Sequence, residues 1–284
     1  MKKIAIIPNV NKDGALDLLL RVTKKIYENG AQAFVDFKYI GFCNNYALPY
    51  SEFPSDAELI IVIGGDGSVI DAAQFAVKYD IPILGVNLGH LGYLAEVEPD
   101  SLDTLDKLFK KEYSIEEKML LSATKLKNGE VIDSSERYAV NDVIISHESY
   151  LGVADFTLVT SELETVKYRA DGIIFATPAG STAYSLSAGG PVVDHGIDSI
   201  LATPICPHSF FNRSIIFNEN SVLTVKNTGS STLKISIDGR LFSILEDGEE
   251  CAVRKSYRSL KVLAFNVNNM FSTLFSKMKK IENI

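Results

Sequence analysis

Apolar residues follow two alternating rhythms along the first part of the chain. Residues 4–7, 33–37, 59–63 and 81–86 read as short strands, and the unbroken apolar run Leu59-Ile60-Ile61-Val62-Ile63 is of the kind a parallel sheet covered on both faces produces. Between the strands, apolar positions recur at helical spacing. Leu16, Leu19, Leu20 and Ile26 mark one helix, with Asp13 placed to cap its start and Gly30 to end it. Val69, Ala72, Ala73, Ala76 and Val77 mark a second, and Leu102, Leu105, Leu108 and Phe109 a third. Residues 38–56, with Gly41, Pro49 and Pro54, read as a long loop or irregular region. Strands alternating with helices predict a doubly wound, Rossmann-like α/β domain.

Beyond about residue 116 the pattern changes. Residues 153–159, 222–225 and 233–237 partly alternate apolar with polar, and Lys127-Asn128-Gly129-Glu130 and Asp247-Gly248-Glu249 are turn signals. Helical spacing returns only at Met270, Phe271, Leu274, Phe275 and Met278. Two domains are expected: an α/β domain over residues 1–116, to which residues 259–284 return, and a β-rich domain over 117–258. The length of 284 residues agrees with about two domains.

Composition narrows the class. The chain has 28 basic and 36 acidic residues, a net charge of −8, which argues against non-specific nucleic-acid binding. Three cysteines, Cys43, Cys206 and Cys251, form no CxxC motif, so a reducing compartment is expected rather than a disulfide framework. The first apolar run has four residues before Pro8, too short for a signal-peptide core, and no run approaches a membrane span. A soluble, cytoplasmic protein with no membrane partner is expected.

Chemistry concentrates first at Gly64-Gly65-Asp66-Gly67-Ser68, between an apolar strand and a helix. Glycines let a phosphate approach the backbone, and a helix start offers unpaired N–H groups and partial positive charge. The run is neither GxGxxG nor GxxxxGK[ST]. Asp66 repels phosphate unless it has another task, and two tasks fit: accepting a proton from an attacking hydroxyl, or holding Mg²⁺. The plainer alternative is a tight turn in which Asp66 caps the helix. Asn87-Leu88-Gly89-His90-Leu91-Gly92 follows the next strand and is expected at the same crevice, because loops at the carboxyl ends of parallel strands line it.

A second group surrounds Arg169-Ala170-Asp171-Gly172, with Thr177-Pro178-Ala179-Gly180-Ser181-Thr182-Ala183-Tyr184-Ser185-Leu186-Ser187 downstream. Small residues and hydroxyls suit a flat, polyhydroxylated ligand held close to backbone, with Arg169 as donor and Asp171 as acceptor. A plain Arg–Asp salt bridge beside a capped helix is the competing reading. Asn141-Asp142, inside a strand-like stretch, is either a base- or sugar-reading pair or an ordinary polar break. His147, His195 and His208 show no zinc spacing.

These residues, taken in order with Thr203-Pro204-Ile205-Cys206-Pro207-His208-Ser209 and Asp238-Gly239, resemble the NAD kinase family across roughly 175 residues. The resemblance implies an N-terminal α/β domain, a β-rich C-terminal domain, NAD between them, a divalent cation (Mg²⁺ the simplest) and a homodimer or homotetramer. It implies phosphoryl transfer from ATP, or from polyphosphate, to the 2′-hydroxyl of the adenosine ribose of NAD, with Asp66 as the catalytic carboxylate. Phosphate contacts are expected from Gly64, Gly65, Gly67 and Ser68. Dinucleotide contacts are expected from Gly67, Asn141, Asp142, Arg169, Asp171, Ala179, Thr182, Ala183, Tyr184, Ser185 and Ser187, with Asn212 a further carry-over.

Three positions depart from that pattern. Asp142 stands where the family usually has Glu, Asp71 where many members have a basic residue, and Arg240 where Gln is frequent. Asp142 is one methylene shorter than Glu, Asp71 withdraws a candidate donor to triphosphate, and Arg240 accepts no hydrogen bond. A non-catalytic NAD-binding sensor, or a lipid or sugar kinase sharing the glycine turn, is the alternative.

Overall fold

The computed structural model describes residues 3–88, 92–133, 137–148, 152–160, 165–208 and 212–265. The chain divides into two compact units, Met1–Glu117 with Leu260–Ile284, and Lys118–Ser259.

In the first unit, β1 (Lys3–Pro8), β2 (Gln32–Asp36), β3 (Ala47–Tyr50), β4 (Leu59–Gly64) and β5 (Ile83–Asn87) lie parallel in the order 3-2-1-4-5. Every residue of β4 and β5 is buried, as the unbroken apolar runs require. Helix α1 (Ala15–Glu28) buries Leu18, Leu19, Val22 and Ile26, whereas Leu16 and Leu20, expected on that face, are half-buried at its flanks. Helix α2 (Asp66–Tyr79) buries the stripe Val69, Ala72, Ala73, Ala76 and Val77 that the spacing predicts.

Three local expectations are corrected. Gly14, at φ 78°, occupies the N-cap of α1, and no side chain caps that helix; Asp13 lies one residue too early. Gly30 does follow the helix in the left-handed region, donating its N–H to Tyr27 O at 2.9 Å. Residues 38–56 are not one loop: a 3₁₀ turn (Phe37–Phe42) leads into β3, which tolerates Pro49 because it is an edge strand. The third helix is split into a 3₁₀ segment (Pro99–Leu105) and α3 (Asp106–Lys110), with Leu102, Leu105 and Leu108 inward. The expected helix at Met270–Met278 lies outside the described residues.

The second unit is β-rich. Ile215–Asn218, Ser199–Ile205, Gly172–Ala176, Asp142–His147, Leu233–Ile237 and Arg240–Leu245 form one antiparallel sheet in that order. Thr165–Ala170, Ala154–Val159 and Leu223–Asn227 pair antiparallel beside Glu249–Ala264. Val143, Ile145, Phe175 and Ile235 of the first set share one core with Phe156, Leu158, Val225 and Val253 of the second. The turns carry the predicted residues: Asn128 and Gly129 both have positive φ, as a two-residue hairpin turn needs. Among the described residues no helix is long and apolar enough to cross a membrane, and all three cysteines are unpaired.

Candidate functional site

The glycine turn of the first unit is where β4 passes into α2. Gly65 is the N-cap in an extended conformation, so Asp66 is the first helical residue and not the cap. Its carboxylate accepts hydrogen bonds from Tyr93 N–H at 2.9 Å and Leu94 N–H at 3.0 Å, both in the chain following β5. Gly92 is what allows this approach: a methyl group there would overlap Asp66 Oδ1. Gly67 is exposed, its N–H has no partner among the described residues, and a methyl group built on it meets nothing within 4 Å. The turn therefore joins an immobilised carboxylate to an open backbone donor at the positive end of a 14-residue helix. His90 and Gly89 lie outside the described residues.

The second unit builds its polar centre at the break before the strand Asp142–His147. Asp238 and Gly239 turn the hairpin 233–245 with φ of 47° and 74°. From that turn the Asp238 carboxylate accepts three successive amides, those of Val140 and Asn141 at 2.8 Å and of Asp142 at 3.1 Å. Thr177 braces the other side: its hydroxyl donates to Val140 O at 2.7 Å and accepts from Gly180 N–H at 3.0 Å. Gly180 lies so close to the Asn141 carbonyl that any side chain would overlap it. The Asn141 backbone is thus held from two directions, while its side-chain amide, half-buried, makes no hydrogen bond among the described residues.

Asp142 is only 4% exposed, and its carboxyl has no hydrogen-bond partner among the described residues. Burial, and after it the neighbouring Asp238 carboxylate, push its pKa up to about 7. A group poised there changes charge near neutrality, which is uncommon for a carboxyl and recurs at functional sites.

The remaining expected residues differ in how available they are. Ser185 is buried, and its hydroxyl is paired with that of Thr203 at 3.0 Å, so it braces the turn Tyr184–Ser187. Thr182 donates to Ala179 O at 3.2 Å, and Ala179 and Ala183 are half-buried. Tyr184 and Ser187 are exposed, as are Arg169, Asp171 and Asn212. No ion pair joins Arg169 to Asp171 among the described residues; Asp155 is the residue opposite Arg169 in the strand pairing. Arg240 and Asp71 are exposed. A separate cavity of about 720 Å³ in the second unit, with Tyr138, Arg254 and Tyr257 in its wall, contains none of these residues. Sequence reasoning did not anticipate the carboxylate anchors Tyr93 and Leu94, the Asp238 clasp or the Thr177 brace; only the Asp-Gly pair at 238–239 signals a hairpin turn by itself.

The family models for the ATP-NAD kinase N-terminal domain and the ATP-NAD kinase C-terminal domain match residues 4–113 and 140–265. The chain belongs to the NAD kinase family. An NAD kinase of Thermoanaerobacter sp. (strain X514) is 34% identical over 284 residues, covering 98% of this chain and 99% of that one. An NAD kinase of Symbiobacterium thermophilum is 37% identical over 243 residues, 84% and 85% of the two chains. Two solved structures share the fold. Yeast NADH kinase complexed with NADH has a TM-score of 0.86 at 20% identity, covering 98% of this chain and 88% of that one. An Archaeoglobus fulgidus NAD kinase in complex with ATP has 0.73 at 22%, covering 98% and 99%. Family membership removes the lipid- and sugar-kinase alternative, and the α/β and β-rich architecture is that of the NAD kinase fold.

Proposed function

We propose that this chain transfers the terminal phosphoryl group of ATP, taken as its Mg²⁺ complex, to the 2′-hydroxyl of the adenosine ribose of NAD. Asp66 acts as general base. The 2′-hydroxyl proton passes to the carboxylate as the new O–P bond forms, the bond to the departing ADP breaks, and the proton is then lost to solvent. The observation that carries this reading is the fixed carboxylate of Asp66 beside the N–H of Gly67, which has no partner among the described residues, at a helix start. Alignment and charge neutralisation supply most of the acceleration, as in phosphoryl transfer generally. The relatives named NAD kinase, and the fold neighbours carrying NADH and ATP, support the choice of substrates.

In this reading Gly64, Gly65, Gly67 and Ser68 receive the donor's phosphates. Asn141, Asp142, Arg169, Asp171, Ala179, Thr182, Ala183, Tyr184, Ser185, Ser187 and Asn212 form the dinucleotide set, with Ser185 acting through its backbone. No cluster of three or more His, Cys, Asp or Glu side chains able to hold a metal occurs among the described residues. In this reading the Mg²⁺ arrives with the donor, held by phosphate oxygens and water. A cytoplasmic homodimer or homotetramer completes the reading, to be checked by light scattering on the purified protein.

The test is incubation with NAD, ATP and Mg²⁺, with NADP detected by a strictly NADP-dependent dehydrogenase and polyphosphate run in parallel as donor. NADP should form, and Asp66→Asn should lower kcat by about 10²–10⁴ while NAD binding persists. Near-normal turnover in that variant would remove Asp66 from the chemistry. NAD binding without any NADP would make the chain a sensor.

A further inference from the structure

The strand order 3-2-1-4-5 reverses between β1 and β4, and in open parallel sheets the ligand crevice opens beyond the carboxyl ends of the strands at such a point. Two loops leave the sheet there. One is the glycine turn after β4; the other, residues 9–14, follows β1. They are tied together. Asn9 donates its N–H to Ile63 O at 2.8 Å and its side-chain amide to Ser68 Oγ at 2.8 Å. Lys12, whose N–H donates to Asn9 O at 3.2 Å, extends its side chain over the turn: a methyl group built on Gly65 would lie 3.0 Å from Lys12 Nζ.

Charge makes this placement informative. From Gly64 to Val77 the chain contains two carboxylates, Asp66 and Asp71, and no Lys or Arg; the first cation is Lys78, in the last turn of α2. An oligophosphate entering this turn meets backbone donors and the helix dipole, but no cation from the turn's own segment. Lys12 supplies one. It is exposed and has no ion-pair partner among the described residues, so its ammonium is not committed to a carboxylate.

Resting on the proposed kinase reading, we propose that Lys12 is a donor-binding residue, which holds the oligophosphate chain of the phosphoryl donor over Gly64–Gly67 and sets the affinity for it. An ammonium with three donors on a flexible stem suits a phosphate chain whose oxygens shift as the terminal group departs. The dinucleotide, bound by other groups, should not sense it.

Steady-state kinetics on the full chain test this with Lys12→Ala and Lys12→Arg, alongside calorimetric titration with MgATP. Lys12→Ala should raise KM for MgATP by about 10- to 100-fold and weaken MgATP binding to match, with KM for NAD unchanged within about twofold. Lys12→Arg should recover most of the loss. The wild type's KM for MgATP should climb with ionic strength more steeply than the Ala variant's. Running ATP and inorganic polyphosphate separately shows whether the oligophosphate or the nucleoside is sensed: an equal shift with both supports the assignment, and a shift with neither overturns it. If the wild type forms no NADP yet Lys12→Ala weakens MgATP binding, the phosphate assignment stands and the kinase reading fails. If Lys12→Ala binds MgATP as the wild type does, the assignment falls whatever the turnover.

Discussion

The two units hold their key carboxylates in opposite ways. Asp66, in the first, is half-exposed and gripped by two backbone amides from another loop. Asp142, in the second, is almost wholly buried, has no hydrogen bond to its carboxyl among the described residues, and faces Asp238. The first arrangement fixes a carboxylate while leaving it partly open to solvent. The second places a charge where folding resists it. What differs is the local supply of donors: the loop after β5 offers two N–H groups to Asp66, whereas the nearby amides of Val140, Asn141 and Asp142 all point to Asp238. Backbone geometry decides which carboxylate is served.

The largest expected effect follows from removing the served charge, the kcat loss of about 10²–10⁴ in Asp66→Asn. Gly92→Ala sharpens the comparison, because it leaves Asp66 in place chemically and disturbs only its grip. The added methyl must push the carboxylate aside. A displacement of about 1 Å lowers kcat by about 10², with NAD affinity close to that of the wild type. If Gly92→Ala turns over normally, the two amide bonds do not set the geometry of the chemical step.

Much of the fold was legible because its signals are local. The α2 stripe lies within one helix, the glycine turn follows directly on its strand, and the Asn128-Gly129 turn is written in adjacent residues. The site's internal order was less legible, because its hydrogen bonds join distant positions. Asp66 meets Tyr93 and Leu94 across 27 and 28 positions, and Asp238 meets Val140–Asp142 across 96 to 98. The edge strand β3 escaped for another reason: it has four residues, none of them buried, one of them proline, so it carries no apolar run. Lys12 escaped because a single exposed lysine gives no pattern until the switch point places it over a turn.

The next prediction concerns the clasp. Asp238→Asn keeps the shape but replaces a charged acceptor that serves three amides with a neutral group whose second arm is a donor. One of those amides loses its acceptor. Hydrogen bonds to charged groups contribute about 1.5–3 kcal/mol, so the variant should lose about that much in denaturant unfolding. The same change removes the like charge facing Asp142, so the pKa of Asp142 should fall, though not to the ordinary range, because burial is the larger cause. Unchanged stability would mean that the clasp is not what holds the Asn141 backbone.

The prediction that tests the comparison most directly is Asp142→Asn. The folded pKa, about 7, lies above the unfolded value of about 3.9. Between those two values the folded state binds the extra proton, so the contribution of Asp142 is fully favourable below about pH 4 and is lost as pH rises toward and through 7. Glu249 is a counterweight in the same unit. It is 5% exposed, and although burial, the largest single cause, works against its charge, the hydrogen bonds from the Lys125 ammonium at 2.7 Å and the Glu246 amide, with the charges of Lys125 and Lys127, together hold its pKa below the ordinary value. Its contribution runs the other way, present above the ordinary carboxylate range and lost as pH falls through its own lowered value. Wild-type stability therefore mixes both slopes, but the difference between wild type and Asp142→Asn cancels Glu249. That difference should grow in favour of the variant from about pH 4 to 7 and then level off. A difference that is flat across this range would mean that Asp142 is ionised in the folded protein well below neutrality, and that the two units treat their carboxylates alike.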